Sequence, residues 1–240
     1  MKKLHLNILM MIAFVATTAL SACDMAHCVH GSGNKITENR KVTDFTKIKV
    51  DGDFKIILKQ DSSLSVNISA DDNLMKLIET NNTGDRLHIH TKEHICSGGE
   101  ITITIGVRNL EGLKASGAID VSTDGNLKVK DINFDLAGAS KLTLDLNANN
   151  VTTSGSGATE MNLKGQATSH NINMSGVGKL NAFDFVVGSC DIASSGASEC
   201  KVNVLQTLKI SSSGATSVKY KGHPSITQDK SGALSVEAVD

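Results

Sequence analysis

Two short segments gather the side chains best suited to metal binding. HCVH (His27, Cys28, His30) and HIHTKEHIC (His88, His90, His94, Cys96) hold five of the eight histidines and two of the five cysteines. Imidazole and thiolate are the usual ligands of zinc and copper, so the segments would make a centre if they met in space. A disulfide competes for the same atoms. In an oxidising compartment Cys28 and Cys96 pair with each other more readily than they hold an ion, which would pin a polar N-terminal segment to a strand. His88 and His90 share one strand face and need not converge with that segment. The expectation is therefore a Cys28–Cys96 pairing and no metal. Carboxylates are the other candidates, because paired acids cleave glycosidic bonds. Asp131, Asp135, Asp145, Asp184 and Asp191 are scattered rather than clustered. With six Phe, one Tyr and no Trp, the chain has few aromatic faces to hold a sugar ring.

The elements that must position these residues read as strands. From Val42 to Val107 apolar residues alternate: Ile48, Val50; Phe54, Ile56, Leu58; Leu64, Val66, Ile68; Leu87, Ile89; Ile101, Ile103, Ile105. Period two marks half-buried strands, and the breaks DGD, DSS, NNTGD and CSGGE are turn-like. DDNLMKLIE is different. It opens on Asp and Asn and spaces Leu74, Leu77 and Ile78 for one or two helical turns.

Beyond that stretch a Ser-Gly-Ala phrase recurs seven times. Its glycines are Gly117, Gly138, Gly157, Gly176, Gly196, Gly214 and Gly232, separated by 21, 19, 19, 20, 18 and 18 residues. A period near 19 is the signature of a solenoid. Apolar columns lie at even offsets from each Gly, such as Val121, Leu142, Met161, Leu180, Cys200, Val218 and Val236 four residues after it. Each repeat then reads strand, Gly corner, strand, with alternate side chains inward. A 19-residue unit cannot bury that face alone, so the repeats must stack. Gly suits the corner because it takes φ > 0 without a Cβ penalty. His170 and Cys190 fall in one inward column on adjacent repeats. A Cys-His dyad needs such proximity, but an inward column describes a packed thiol beside a hydrogen-bonded His. Cys190 and Cys200 face each other across one repeat. Facing sheets lie about 10 Å apart, too far for a disulfide, which predicts two buried thiols.

Three residues after the corner glycines come Asp120, Lys141, Glu160, Lys179 and Glu199, at an outward offset. In a parallel in-register stack each sits over its counterpart, where like charges repel and opposite charges attract. Alternation is what such a ladder requires. The absence of G-G-x-G-x-D repeats argues against calcium-binding coils.

The first residues read as export signals. Lys2 and Lys3 precede an apolar run from Ile8 to Ala16, too short to span a bilayer, and LSAC (Leu20 to Cys23) resembles the lipobox of bacterial lipoproteins. That resemblance implies lipidation of Cys23 and a membrane partner through the lipid, since each buried methylene adds about 0.8 kcal/mol of membrane affinity. The expected organisation is a signal peptide over 1–22, lipidated Cys and tether over 23–40, an N-terminal β-rich section over 41–112 and the repeats over 113–240, the last two continuous. A net charge of -1 without like-charge blocks gives no reason to expect nucleic acid.

GSGNKITENRKVTDFTKIKVDGDFKIILKQ (Gly31 to Gln60), DDNLMKLIET, and ITITIGVRNLEGLKASGAIDV running into SGA units resemble the putative auto-transporter adhesin, head GIN domain family. The resemblance covers roughly 31–235. It implies a right-handed β-helix-like fold, and it carries over no catalytic residue and no cofactor. The reading is an all-β parallel β-solenoid, a non-enzymatic, lipid-anchored envelope protein that binds glycan or protein. The alternative is a β-helix enzyme that modifies polysaccharide.

Overall fold

A computed structural model describes residues 28–96 and 100–239. The segment expected to be a signal peptide (1–22) and the expected lipidation site Cys23 lie outside the described residues. The described residues are all-β apart from one helical turn, and their thirteen strands form one open sheet. It begins with β1 (Lys35–Lys41), β2 (Lys47–Gln60) and β3 (Ser65–Asp71), followed by a single helical turn, α1 (Asp72–Met75). Next come β4 (Ile78–Thr83), β5 (Arg86–Thr91), β6 (Thr102–Val107), β7 (Gly112–Asp124) and β8 (Leu127–Lys128). The remainder is β9 (Asp131–Ser194), β10 (Ala197–Ser212), β11 (Ala215–Lys221), β12 (Ser225–Lys230) and β13 (Ala233–Ala238).

The 64-residue β9 runs through several corners without losing its pairing. Its passes lie parallel to their neighbours one repeat away: Gly117 pairs Gly138, Cys200 pairs both Leu180 and Val218, and Val218 pairs Val236. The apolar columns at even offsets are the core. Leu113, Phe134, Ile172, Ile192 and Ile210 are buried before the corners, as are Val121, Leu142, Met161, Leu180 and Cys200 after them. Cys190 and Cys200 are free and buried.

The stack begins earlier than the repeated phrase does. β2 pairs β7 in parallel from Lys47↔Gly112 to Lys59↔Asp124, with Gly52 opposite Gly117. Asp51, Gly52 and Asp53 are therefore an eighth corner, hidden because residues 61–111 separate it from the next one and because Asp replaces Ser and Ala. On its other edge β2 pairs β5 and β6 in parallel, and these turn antiparallel to β4 and β3. That antiparallel set closes the N-terminal end.

The polar segment read as a tether is fixed from Cys28 on, where the expected bond to Cys96 pins it. Val29 bridges Ile95, Ser32 and Asn34 bond Asp72, and Lys35–Lys41 forms an edge strand on β3. Sequence periodicity misses β1 because nearly all of it is exposed.

The corner glycines need a second physical reason. Gly117, Gly138, Gly157 and Gly176 have φ of 112°, 88°, 101° and 120°, as expected. Gly196, Gly214 and Gly232 are not in the left-handed region. A Cβ on any of the three would collide with the carbonyl oxygen of the glycine one repeat earlier. Close backbone stacking selects Gly at these three, whatever the local φ.

Candidate functional site

The corner divides two faces. Immediately before it, Ser156, Ser175, Ser195, Ser213 and Ser231 form an exposed column, one hydroxyl per pass. Two residues further back come Ser154, Asn173, Ala193 and Ser211. These two columns line an open groove of about 530 Å³ that also includes Met174 and ends at Asp135 and Asp229. Successive passes rise by about 4.8 Å, so five steps put those two acids about 24 Å apart. Within the protein the serine hydroxyls are lightly engaged. Ser156 and Ser175 donate to carbonyl oxygens of Leu136 and Gly155 at 3.4 and 3.5 Å.

Beneath the groove the corner interior carries buried hydroxyls that bond across the bend, Ser194 with Ser198 at 2.9 Å and Ser212 with Thr216 at 2.8 Å. Ser140 and Thr159 occupy the same column and lack a partner among the described residues. Their cross-corner neighbours are Leu136 and Gly155, which offer no side-chain oxygen.

Immediately after the corner an exposed strip of Ala118, Ala139, Ala158, Val177, Ala197 and Ala215 runs beside the charged column. Asp120 is registered with Lys141, and Lys179 with Glu199. Stacking of Gly157 on Gly138 and Gly176 on Gly157 carries the column through Glu160. Lys55 on β2 pairs Asp120 and adds a sixth member below the five legible in the repeats.

The other candidate chemistry resolves into structure. Cys28 and Cys96 are joined, with Cα atoms 5.0 Å apart. His30 adjoins the two sulfurs, but a disulfide offers no thiolate to an ion. His88 and His90 stack with centroids 4.4 Å apart, and each contacts an acid, Asp51 at 2.7 Å and Glu79 at 3.2 Å. His170 is buried, shares a 3.0 Å hydrogen bond with Thr153 Oγ1 and meets Phe185 edge-on. Burial pulls its pKa down to about 4. Burial also drives the Cys190 thiol far up, and that of Cys200 up to about 12. A thiol that stays protonated beside a neutral, committed imidazole is not a nucleophile.

Four of the five candidate carboxylates are similarly tied, and Asp184 lies on the rim of a separate depression with Asp145 and Lys164. Asp135 pairs Lys114 at 2.6 Å, Asp131 accepts from Asn150 at 2.6 Å and Asp191 meets Lys209 at 3.4 Å. Hydrogen bonds from Asn126 and Lys164 hold Asp145 below the usual carboxylate range. A general acid needs a pKa displaced the other way.

The sequence profile described as Putative auto-transporter adhesin, head GIN domain matches residues 44–224. No curated protein sequence matches the chain. A putative adhesin from Bacteroides fragilis superposes with a TM-score of 0.83 at 22% identity, over 88% of this chain and 100% of its own. A putative lipid binding protein from Parabacteroides distasonis gives 0.73 at 20% identity, over 89% and 100%. A putative adhesin from Parabacteroides merdae gives 0.60 at 24% identity, over 90% and 100%. At such identities the likeness is one of fold. The match of the profile from the start of the β2 region to the end of β11 is a stronger statement: the chain belongs to the putative auto-transporter adhesin, head GIN domain family.

Proposed function

We propose that this protein is a non-enzymatic, lipid-anchored protein of the bacterial envelope, with a β-solenoid body whose serine groove binds an extended neutral polymer. The solenoid reading rests on eight glycine corners in parallel register, one repeat apart. The observation that carries the binding reading is the groove itself. It presents the same pair of small polar positions at nearly every pass, with carboxylates only at its two ends. Uncharged hydroxyls both donate and accept, which suits a glycan strand or an extended peptide with polar groups repeated along its length. Each pass adds one weak contact, and affinity grows with the number of passes engaged. Family membership agrees with an adhesin-like role.

A polysaccharide hydrolase would require two carboxylates about 5–10 Å apart. Those bounding the groove are more than twice as far apart, and Asp135 is held by Lys114. Lipid anchoring rests on the Leu20 to Cys23 motif alone.

The test uses the mature chain against a panel of immobilised glycans and matrix proteins. Ser175→Arg and Ser195→Arg place long side chains in the groove while leaving the core columns untouched. Each should abolish binding of any ligand the wild type retains and leave the melting temperature within a few degrees. Undiminished binding by both variants would rule out the groove. Shortened glycan products would establish the enzyme instead.

A further inference from the structure

The face on the other side of the corner carries a row of charges whose inner members close no ion pair among the described residues. Opposite charges one pass apart close into ion pairs at five other places: Lys59 with Asp124, Lys114 with Asp135, Lys164 with Asp145, Lys209 with Asp191 and Lys219 with Glu237. Asp120, Lys141, Glu160 and Lys179 lie on adjacent passes in the same relation. Among the described residues none of the four makes an ion pair. At the ends of the ladder Lys55 turns sideways to Glu100 and Glu199 to Lys201. Beside the ladder the alanine strip forms the floor of a shallow open depression, from which Val177 projects with 64% of its surface exposed.

From Lys55 to Glu199 the ladder reads plus, minus, plus, minus, plus, minus. An alternating series of even length, reversed, is its own charge complement. We infer that this face binds a second copy of the chain, through a two-fold axis that runs along the strand direction between the passes of Lys141 and Glu160. Such an axis lays ladder on ladder with the stacking direction reversed. Lys55 then meets Glu199 of the second copy, Asp120 meets Lys179 and Lys141 meets Glu160, each contact occurring twice. The same operation sets Val177 over Ala118 of the second copy, a projection against the depressed floor. The other face-to-face arrangement, with the axis parallel to the stack, would oppose every charge to itself. Charge order thus selects one orientation and rejects the other.

The contact is small. Six passes at about 4.8 Å give a strip under 30 Å long, so the total buried area falls in the range of weak, transient complexes. Dimerisation in the micromolar to millimolar range, weakened by salt, is the expected behaviour. This surface is separate from the serine groove, so the proposal stands or falls without it.

Sedimentation equilibrium of the mature chain, at low and high ionic strength, reads the outcome. Wild type should dimerise at low salt and dissociate as salt rises. Lys141→Glu opposes Glu160 of the partner copy twice and should raise the dissociation constant by about tenfold or more. Adding Glu160→Lys restores opposite charges between the copies. Within each copy the double variant leaves the new carboxylate beside Asp120 and the new ammonium beside Lys179. The melting temperature should therefore not recover with dimerisation. Regained dimerisation without regained stability is specific to an interface. A wild-type chain that stays monomeric at millimolar concentration and low salt overturns the proposal, as does a double variant no better associated than Lys141→Glu.

Discussion

His170 shows how much one residue's setting can matter. It occupies an inward column whose other members are apolar, Val151, Cys190 and Leu208 among them, and Thr153 shares its one side-chain hydrogen bond among the described residues. Burial disfavours the imidazolium, so the folded pKa is about 4 against 6.5 for a free side chain. The unfolded chain therefore takes up a proton first as pH falls. The stability that His170 contributes is full above about pH 6.5 and is lost between there and about pH 4, up to about 3 kcal/mol. Replacing the pair, His170→Leu with Thr153→Val, should flatten urea midpoints across that window without leaving an orphaned hydroxyl. An unchanged slope would assign the pH dependence elsewhere. The position of His170 was legible in the sequence from its column. Its partner was harder to see, because Thr153 stands where neighbouring repeats carry Phe134 and Ile172.

At the level of elements, the corner is a stacking device as much as a turn. Gly214 is not left-handed, yet a Cβ there would strike the Gly196 carbonyl. Gly125 has φ of 86° but open space where its Cβ would be. The two separate collision from backbone strain. Gly125→Ala should cost about 1–2 kcal/mol, the usual penalty for a left-handed L-residue. Gly214→Ala must push adjacent passes apart and should cost about 3 kcal/mol or more. Thermal and urea unfolding of both variants checks the order, and an equal or smaller loss for Gly214→Ala would remove the stacking argument. Even offsets and constant spacing made seven passes readable, because inward columns have to recur for the core to be continuous. The eighth, around Gly52, was not readable, since period detection fails across residues 61–111. Nor was the concavity of the serine groove, which depends on the angle of the bend rather than on any residue type.

For the whole molecule, the two ends differ. The N-terminal end is closed by antiparallel strands and by the segment that the Cys28–Cys96 bond holds, across a separation of 68 residues. At the other end β12 and β13 each pair on one edge only. There the inward columns change to Gln228 and Lys230, both exposed, and inward-pointing charge discourages edge pairing. Cys28→Ser with Cys96→Ser should lower stability by about 2–4 kcal/mol, with faster hydrogen exchange confined at first to the cap around β1 and β3. Exchange accelerated evenly over all passes would mean that the cap and the stack unfold as one unit. The alternating ladder also sets a rule of parity for the molecule's length. Losing any single inner pass from Asp120 to Lys179 brings two like charges together, whereas losing two neighbouring passes keeps the sequence of signs intact. The same holds for insertion. Lengths that differ by an even number of passes are therefore electrostatically equivalent, and the body can grow or shrink in steps of two.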